Sequence, residues 1–322
     1  MASGNDFRCL LSKESVFGTR VVPARAIVVT GEDIAFQRNR AFSAALGMGR
    51  WARPSILTTR GGSGSISGEV PTTGFGYLLD GLHGNAVTPV QQAATPAYLQ
   101  THTLDTPPVK TYSIQKQTPP VTTNTLVPLD YTGAMFMGVT FNWTAGGLFS
   151  WSMPATLMDE VTGLALATYT APTAWSPFGF QGGSVTVGGV AELNVIGDGS
   201  LTIGASMRDD AYALGTGGTM AKPVETDRPA ASGSFTADFN DLTNITRVVA
   251  NTSADVILKF EGAVISGAFK FMIEITLKDC VFSTPSPTVD SPGPVQQTVT
   301  FTSASGSGNA PIIKYISTDT VL

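Results

Sequence analysis

The clearest alternation of apolar and polar positions lies near the C-terminus. Phe269, Phe271, Ile273, Ile275 and Leu277 alternate with Lys270, Met272, Glu274, Thr276 and Lys278. Period two places the first set on one face of a sheet, so this segment is predicted as a strand with one buried side. Met135, Met137, Val139 and Phe141 alternate in the same way as far as Trp143. The turn residues Thr144-Ala145-Gly146-Gly147 follow, and Leu148 to Met153 completes a predicted hairpin. Val256, Leu258 and Phe260 predict a further half-buried strand, and Val295, Gln297, Val299 and Phe301 a weaker one. Only two segments have helical spacing. In Thr73–Leu82 the apolar positions are Phe75, Leu78, Leu79 and Leu82, with Gly84 as the stop. In Asp241–Ala250 they are Leu242, Ile245, Val248 and Val249, with Asn240 or Asp241 as the cap. Both are too short to hold alone and are predicted to lie on a sheet.

An internal echo organises these elements. Ser63-Gly64-Ser65-Ile66-Ser67-Gly68-Glu69-Val70 resembles Ser232-Gly233-Ser234-Phe235-Thr236-Ala237-Asp238-Phe239 at every position, each identical or similar in type. Each copy runs into one of the two helices, and each helix is followed by strands at Tyr98–Leu104 and Val256–Phe260, then Val109–Lys116 and Phe269–Lys278. A final hairpin closes each half, at 134–153 and 295–316, and a long loop precedes each copy of the echo, at 41–59 and 208–230. Self-similarity at long period points to duplication. The chain is predicted to be mainly β, with an N-terminal arm over 1–24, a first β domain over 25–156, a Thr-, Ala- and Pro-rich linker over 157–177, and a similar second β domain over 178–322.

Composition agrees with that reading. The 322 residues are 42% hydrophobic and only 13% charged, with 35 Gly and 20 Pro. Such a chain can bury one large or two ordinary cores and is too apolar for a disordered one. Cys9 and Cys280 are too few and too far apart for a disulfide framework or a zinc pattern, and read as ordinary thiols. No basic start leads into an apolar run and no apolar run reaches membrane-spanning length, so an intracellular product without a membrane partner is expected. The net charge of −5 is uneven: nine basic and four acidic residues in 1–60, ten basic and twenty acidic beyond. Either this is scatter on a solvated surface, or a basic segment of one copy meets an acidic surface of the next.

No residue is assigned to a catalytic, cofactor-binding or metal site, no cofactor is expected, and the chain does not read as an enzyme. His83 and His102 lack a Cys or carboxylate partner at ligand spacing. Nucleophile-elbow and phosphate-loop motifs are absent from the sequence. Asp159-Glu160 and Asp209-Asp210 read as solvated charges in loops, and Gly182-Gly183 and Gly188-Gly189 as turns beside strands. An acidic chain is poorly suited to hold phosphates tightly.

Several segments together resemble the tail tube proteins of long-tailed bacteriophages. They are Glu14-Ser15-Val16-Phe17-Gly18-Thr19 with Pro23, Arg25 and Ala26–Thr30; the run Gly62 to Gly84; Thr101-His102-Thr103; and Gly182 to Gly189. The resemblance implies a β-sandwich or partial barrel flanked by one short α-helix in each of the two domains. It implies copies joined into rings whose inner sheets close into a barrel, and rings stacked into a tube through which genomic DNA passes without specific binding. Six tube domains per ring would need three two-domain chains, a trimer with pseudo-sixfold symmetry, or else a hexamer. It also implies tape measure, tail terminator and distal tail proteins as partners, a place in the virion tail, and assembly in the bacterial host cytoplasm. The competing readings are a phage decoration or adhesin-type β protein and an outer-membrane barrel. The missing signal segment argues against the barrel.

Overall fold

The computed structural model describes residues 3–46, 50–51, 54–120, 122, 125–172, 175–192, 195–284, 286–287, 289, 292–304 and 308–322. Strands dominate it, as the alternation predicts. The first half carries β1 (Arg8–Lys13), β2 (Arg25–Ile27), β3 (Gly31–Glu32), β4 (Ala35–Phe42) and the long β5 (Ser55–Glu69). The short helix α1 (Gly76–Leu79) and a 3-10 turn over Asp80–Leu82 follow, then β6 (Val90–Gln91), β7 (Tyr98–Thr103), β8 (Tyr112–Thr118) and β9 (Val127–Phe136). Next come β10 (Gly138–Trp143), β11 (Ser150–Leu157) and β12 (Asp159–Val161). The second half carries β13 (Gly183–Val187), β14 (Val190–Ala191), β15 (Val195–Gly204), β16 (Ala230–Asp238) and α2 (Thr243–Val249). It ends with β17 (Ala254–Ser266), β18 (Phe269–Phe282), β19 (Gln296–Ser303) and β20 (Ile312–Ser317).

Among the described residues all the strand ladders are antiparallel, and one isolated bridge, Arg60 with Thr219, is parallel. In the first half β1 pairs with β2 and β8, β8 with β9, β9 with β11 and β12, β11 with β5, and β5 with β4. In the second half β13 pairs with β14 and β17, β17 with β18, β18 with β19 and β20, β19 with β16, and β16 with β15. Two further ladders cross between the halves, β10 with β15 and β7 with β20.

The core also runs across both halves. Phe149 stacks on Phe260 with ring centroids 4.0 Å apart, and Phe75 meets Phe141, Trp151 and Tyr315 at 6.2, 5.7 and 6.3 Å. These rings are almost wholly buried, and each stabilises the fold by about 1.5–3 kcal/mol through removal of apolar surface from water.

The two predicted helices form with different roles. The residues Phe75, Leu78, Leu79 and Leu82 all turn into the core, and the helical path ends at His83, whose backbone is extended. Gly76 lies against the Gln100 amide, and a side chain there would have to displace that tip. The N-cap of α2 is Leu242, not Asn240 or Asp241, and it makes no side-chain cap bond; Asp241, one residue earlier, accepts the Thr243 N–H on Oδ1 at 2.8 Å. Its predicted apolar face is only partly used: Val248 packs on the core, whereas Leu242 and Val249 face solvent.

Two segments expected to lie outside the β domains carry strands. Within 1–24, β1 is interior, flanked by β2 and β8 with Cys9, Leu10 and Leu11 buried. Within 157–177, β12 pairs with β9. No described helix is long and apolar enough to cross a membrane.

Candidate assembly surface

The outer strand of the first half leaves an edge open. Strand β3 and then β4 lie along β5 in one register, Glu32 opposite Ile66 and Ala35 opposite Ser63. Ile34 is buried and Phe36 half-buried on the core side, while Arg38, Asn39 and Arg40 are exposed. Among the described residues no strand pairs with the other side of β4. An open edge offers unpaired N–H and C=O groups, and soluble proteins cover or pair such edges.

The tip beyond this edge is apolar. Phe42, Leu46, Trp51, Ile56 and Leu57 all project to solvent, with Leu46 96% and Trp51 85% exposed. A cluster of large exposed apolar side chains on one hairpin marks a binding surface. The loop that joins β15 to β16 lies differently. The Arg60 N–H donates to the Gly218 carbonyl at 2.7 Å, Lys222 Nζ donates to the Val109 carbonyl at 2.6 Å, and Met220 is buried. This second-half loop is therefore seated on the first half of its own chain.

Charges behind the edge are paired within the chain. Asp159 and Glu160, read from sequence as loop carboxylates, lie on β12, where Arg60 reaches Asp159 at 3.2 Å and Arg38 reaches Glu160 at 2.8 Å. Lys116 reaches Glu32 at 2.7 Å and the Ile34 carbonyl at 2.9 Å, fixing the start of the edge strand from beneath. Asp210 does lie in a loop, exposed beside Arg208.

A second cluster is buried. His83 Nε2 and His102 Nδ1 are 3.0 Å apart, and a ligand atom of Asp80 lies within 4.8 Å of ligand atoms of both. The carboxylate partner missing from the sequence pattern is thus supplied three residues before His83, with His102 brought in on β7. Both Asp80 oxygens are occupied, by Lys13 Nζ at 2.5 Å and Lys110 Nζ at 2.6 Å. Burial works against ionisation of Asp80, but the hydrogen bonds from Lys110 and Lys13 outweigh it and hold the carboxyl below its ordinary range. Burial pulls His83 down to about 4 and His102 down to about 3, each helped by neighbouring positive charge. Near neutral pH this is a carboxylate bridging two ammonium groups beside two neutral imidazoles, an arrangement suited to fixing α1, β1 and β7 together. Cys9 and Cys280 are buried free thiols, both raised to about 12 mainly by burial.

A family model described as phage tail tube protein matches residues 4–303. Among curated proteins no sequence matches the chain.

Proposed function

The chain belongs to the phage tail tube protein family, structural components of the virion tail, and on that footing we propose that three copies close into one ring of the tube wall. Each copy contributes two near-equivalent tube domains, the first built on 25–156 with β1 and β12 added and the second on 178–322, so that three chains give six sectors. Rings stack into a conduit for the genome. The chain therefore assembles with itself and with the proteins that cap and fill the tube, and its wall acts by shape and not by chemistry.

The observation that carries this reading is the recurrence of strand pairings. Seven ladders of the first half have counterparts in the second: β1·β2 with β13·β14, β1·β8 with β13·β17, β8·β9 with β17·β18, β9·β12 with β18·β20, β9·β11 with β18·β19, β5·β11 with β16·β19, and β4·β5 with β15·β16. Irregularities recur with them. The register shifts between Tyr112 and Ile114 on β8, and between Ala254 and Val256 on β17. Opposite these shifts, Gly133 has φ 62° and Asp279 has φ 49°. The Val70 N–H donates to the Phe149 carbonyl at 2.8 Å, and the Phe239 N–H to the Val295 carbonyl at the same distance. Independent folds do not share bulges and left-handed residues at matching register positions, because each such feature is specific to its local pairing.

An acidic lumen is part of this proposal: ten basic against twenty acidic residues beyond residue 60 favour weak repulsion of DNA and free sliding. Electron microscopy of the purified protein tests the assembly. Rings or tubes with three chains per ring are expected; monomers at high concentration, or six chains per ring, would overturn the proposal.

A further inference from the structure

The junction between the two halves reveals what an edge like that of β3–β4 is built to meet. Strand β15 lies on β16 as β3–β4 lies on β5: Gly199 faces Phe235 as Glu32 faces Ile66, and Thr202 faces Ser232 as Ala35 faces Ser63. The burial matches too, with Leu201 and Ile203 in the positions of Ile34 and Phe36. The far side of β15 is covered by β10, from Gly138 opposite Gly204 to Trp143 opposite Gly199. Among the described residues no strand pairs with the far side of β3–β4.

The second half holds a matching connection. Thirteen residues separate Phe136 from Ser150, and β10 lies among them; thirteen separate Phe282 from Gln296. Both connections start from the same bond, Met137 N–H to the Pro154 carbonyl at 3.0 Å and Ser283 N–H to the Thr300 carbonyl at 2.9 Å. Counted along the two connections from those bonds, Ser286 corresponds to Thr140, although no described residue between Phe282 and Gln296 lies in a strand.

From these observations we infer that the Glu32–Arg38 edge of one copy adds, antiparallel, to the second half of a neighbouring copy beside its β18–β19 connection, with Ala35 opposite Ser286. The inference rests on the ring reading above and gives it its contact. The hairpin tip supports the same occupant. The β15–β16 loop is seated on the half that supplies β10, so the β4–β5 tip, with exposed Phe42, Leu46, Trp51, Ile56 and Leu57, is placed to seat on the half that receives β4. The charges are complementary as well: 178–322 holds eight basic and fourteen acidic residues, whereas 1–60 is basic.

Engineered cysteines test the contact. At the equivalent site inside the chain, Thr140 Oγ1 and Thr202 Oγ1 are 3.1 Å apart, close enough for a disulfide. The double variant Ala35→Cys with Ser286→Cys is assembled, oxidised and run on a non-reducing gel. Ala35 and Ser286 are exposed, and the native thiols are buried, so melting curves like that of the wild type are expected. Covalent species of two and three chains are expected, ending at three. Co-assembled single variants should give two-chain species and nothing larger. Normal rings in the microscope with no covalent species would overturn the contact and leave the ring reading standing. A series ending at six would keep the contact and overturn the three-copy ring. Absence of any ring or tube from the wild type would overturn both.

Discussion

Gly64 and Gly233 occupy the same place in the two copies of the echo, and they should respond alike to a methyl group. A Cβ at Gly64 would fall 2.5 Å from Ile34 Cα, 2.7 Å from Ile34 N and 2.8 Å from the Asp33 carbonyl oxygen. A Cβ at Gly233 would fall 2.6 Å from the Ser200 carbonyl oxygen and 2.7 Å from Phe301 Cζ. In each case the nearest obstacle is the backbone of the strand alongside, which cannot swing away as a side-chain tip can. Forcing a methyl into a packed site costs about 1–3 kcal/mol, and the reduced freedom of the unfolded chain returns about 0.4–1 kcal/mol. Gly64→Ala and Gly233→Ala should each lose about 1–2 kcal/mol, with Gly64→Ala at the upper end because three backbone atoms crowd it. Gly179 is the control: its backbone is extended, at φ −109°, and an added Cβ meets nothing within 4 Å. Gly179→Ala should be neutral or gain up to about 1 kcal/mol. Urea unfolding at concentrations below assembly, with the slope unchanged, measures all three. If either echo variant unfolds at the same or higher urea than wild type, or if Gly179→Ala loses as much, the shared close approach is not what selects glycine there.

Other expectations follow from the remaining features. Leu46→Ser with Trp51→Ser should change unfolding by less than about 0.5 kcal/mol, since both side chains are exposed, yet abolish ring formation in negative-stain images; intact rings would show that the apolar tip is not a contact. Asp80→Ala leaves Lys110, whose side chain is only 14% exposed, with the Asn85 carbonyl but without its carboxylate partner, and should cost about 3 kcal/mol in urea unfolding. In the wild type the Asp80 contribution is complete above about pH 4, the unfolded carboxyl value, and is lost as pH falls through its lower folded value. His83 and His102 fold as neutral groups with values near 4 and 3. The unfolded chain therefore takes up protons first, and stability should fall as pH drops from about 6.5 toward 4. His102→Gln should flatten that slope; an unchanged slope would place the titration elsewhere.

The amount legible in the sequence differed from element to element. The strand at 269–278 was plain because one face is buried and the other is not, so burial wrote itself into the alternation. The helix face at Phe75, Leu78, Leu79 and Leu82 was plain for the same reason at helical period. The alternation from Met135 to Phe141 concealed a break: β9 ends at Phe136, and the Met137 N–H turns to the Pro154 carbonyl before β10 begins. Both strands are nearly wholly buried, so polarity could not mark the join. Order along the chain matched the Tyr98–Leu104 strand with Val256–Phe260, but the ladders match β8 with β17. Strand β7 stands outside the repeated set because it pairs with β20, across the halves. Such long-range ladders leave no local trace. Asp80 precedes His83 by three residues on one helical turn, a carboxylate that the reading of the sequence missed, whereas His102, Lys13 and Lys110 come from other strands and loops and only the fold assembles them.

Counting chains in a single ring by high-resolution imaging of the assembled tube tests the central claim most directly. The account predicts three chains and six wall sectors per ring, with the β10·β15 junction inside each chain alternating with a like junction between chains. Six chains per ring, each contributing one sector, would contradict it.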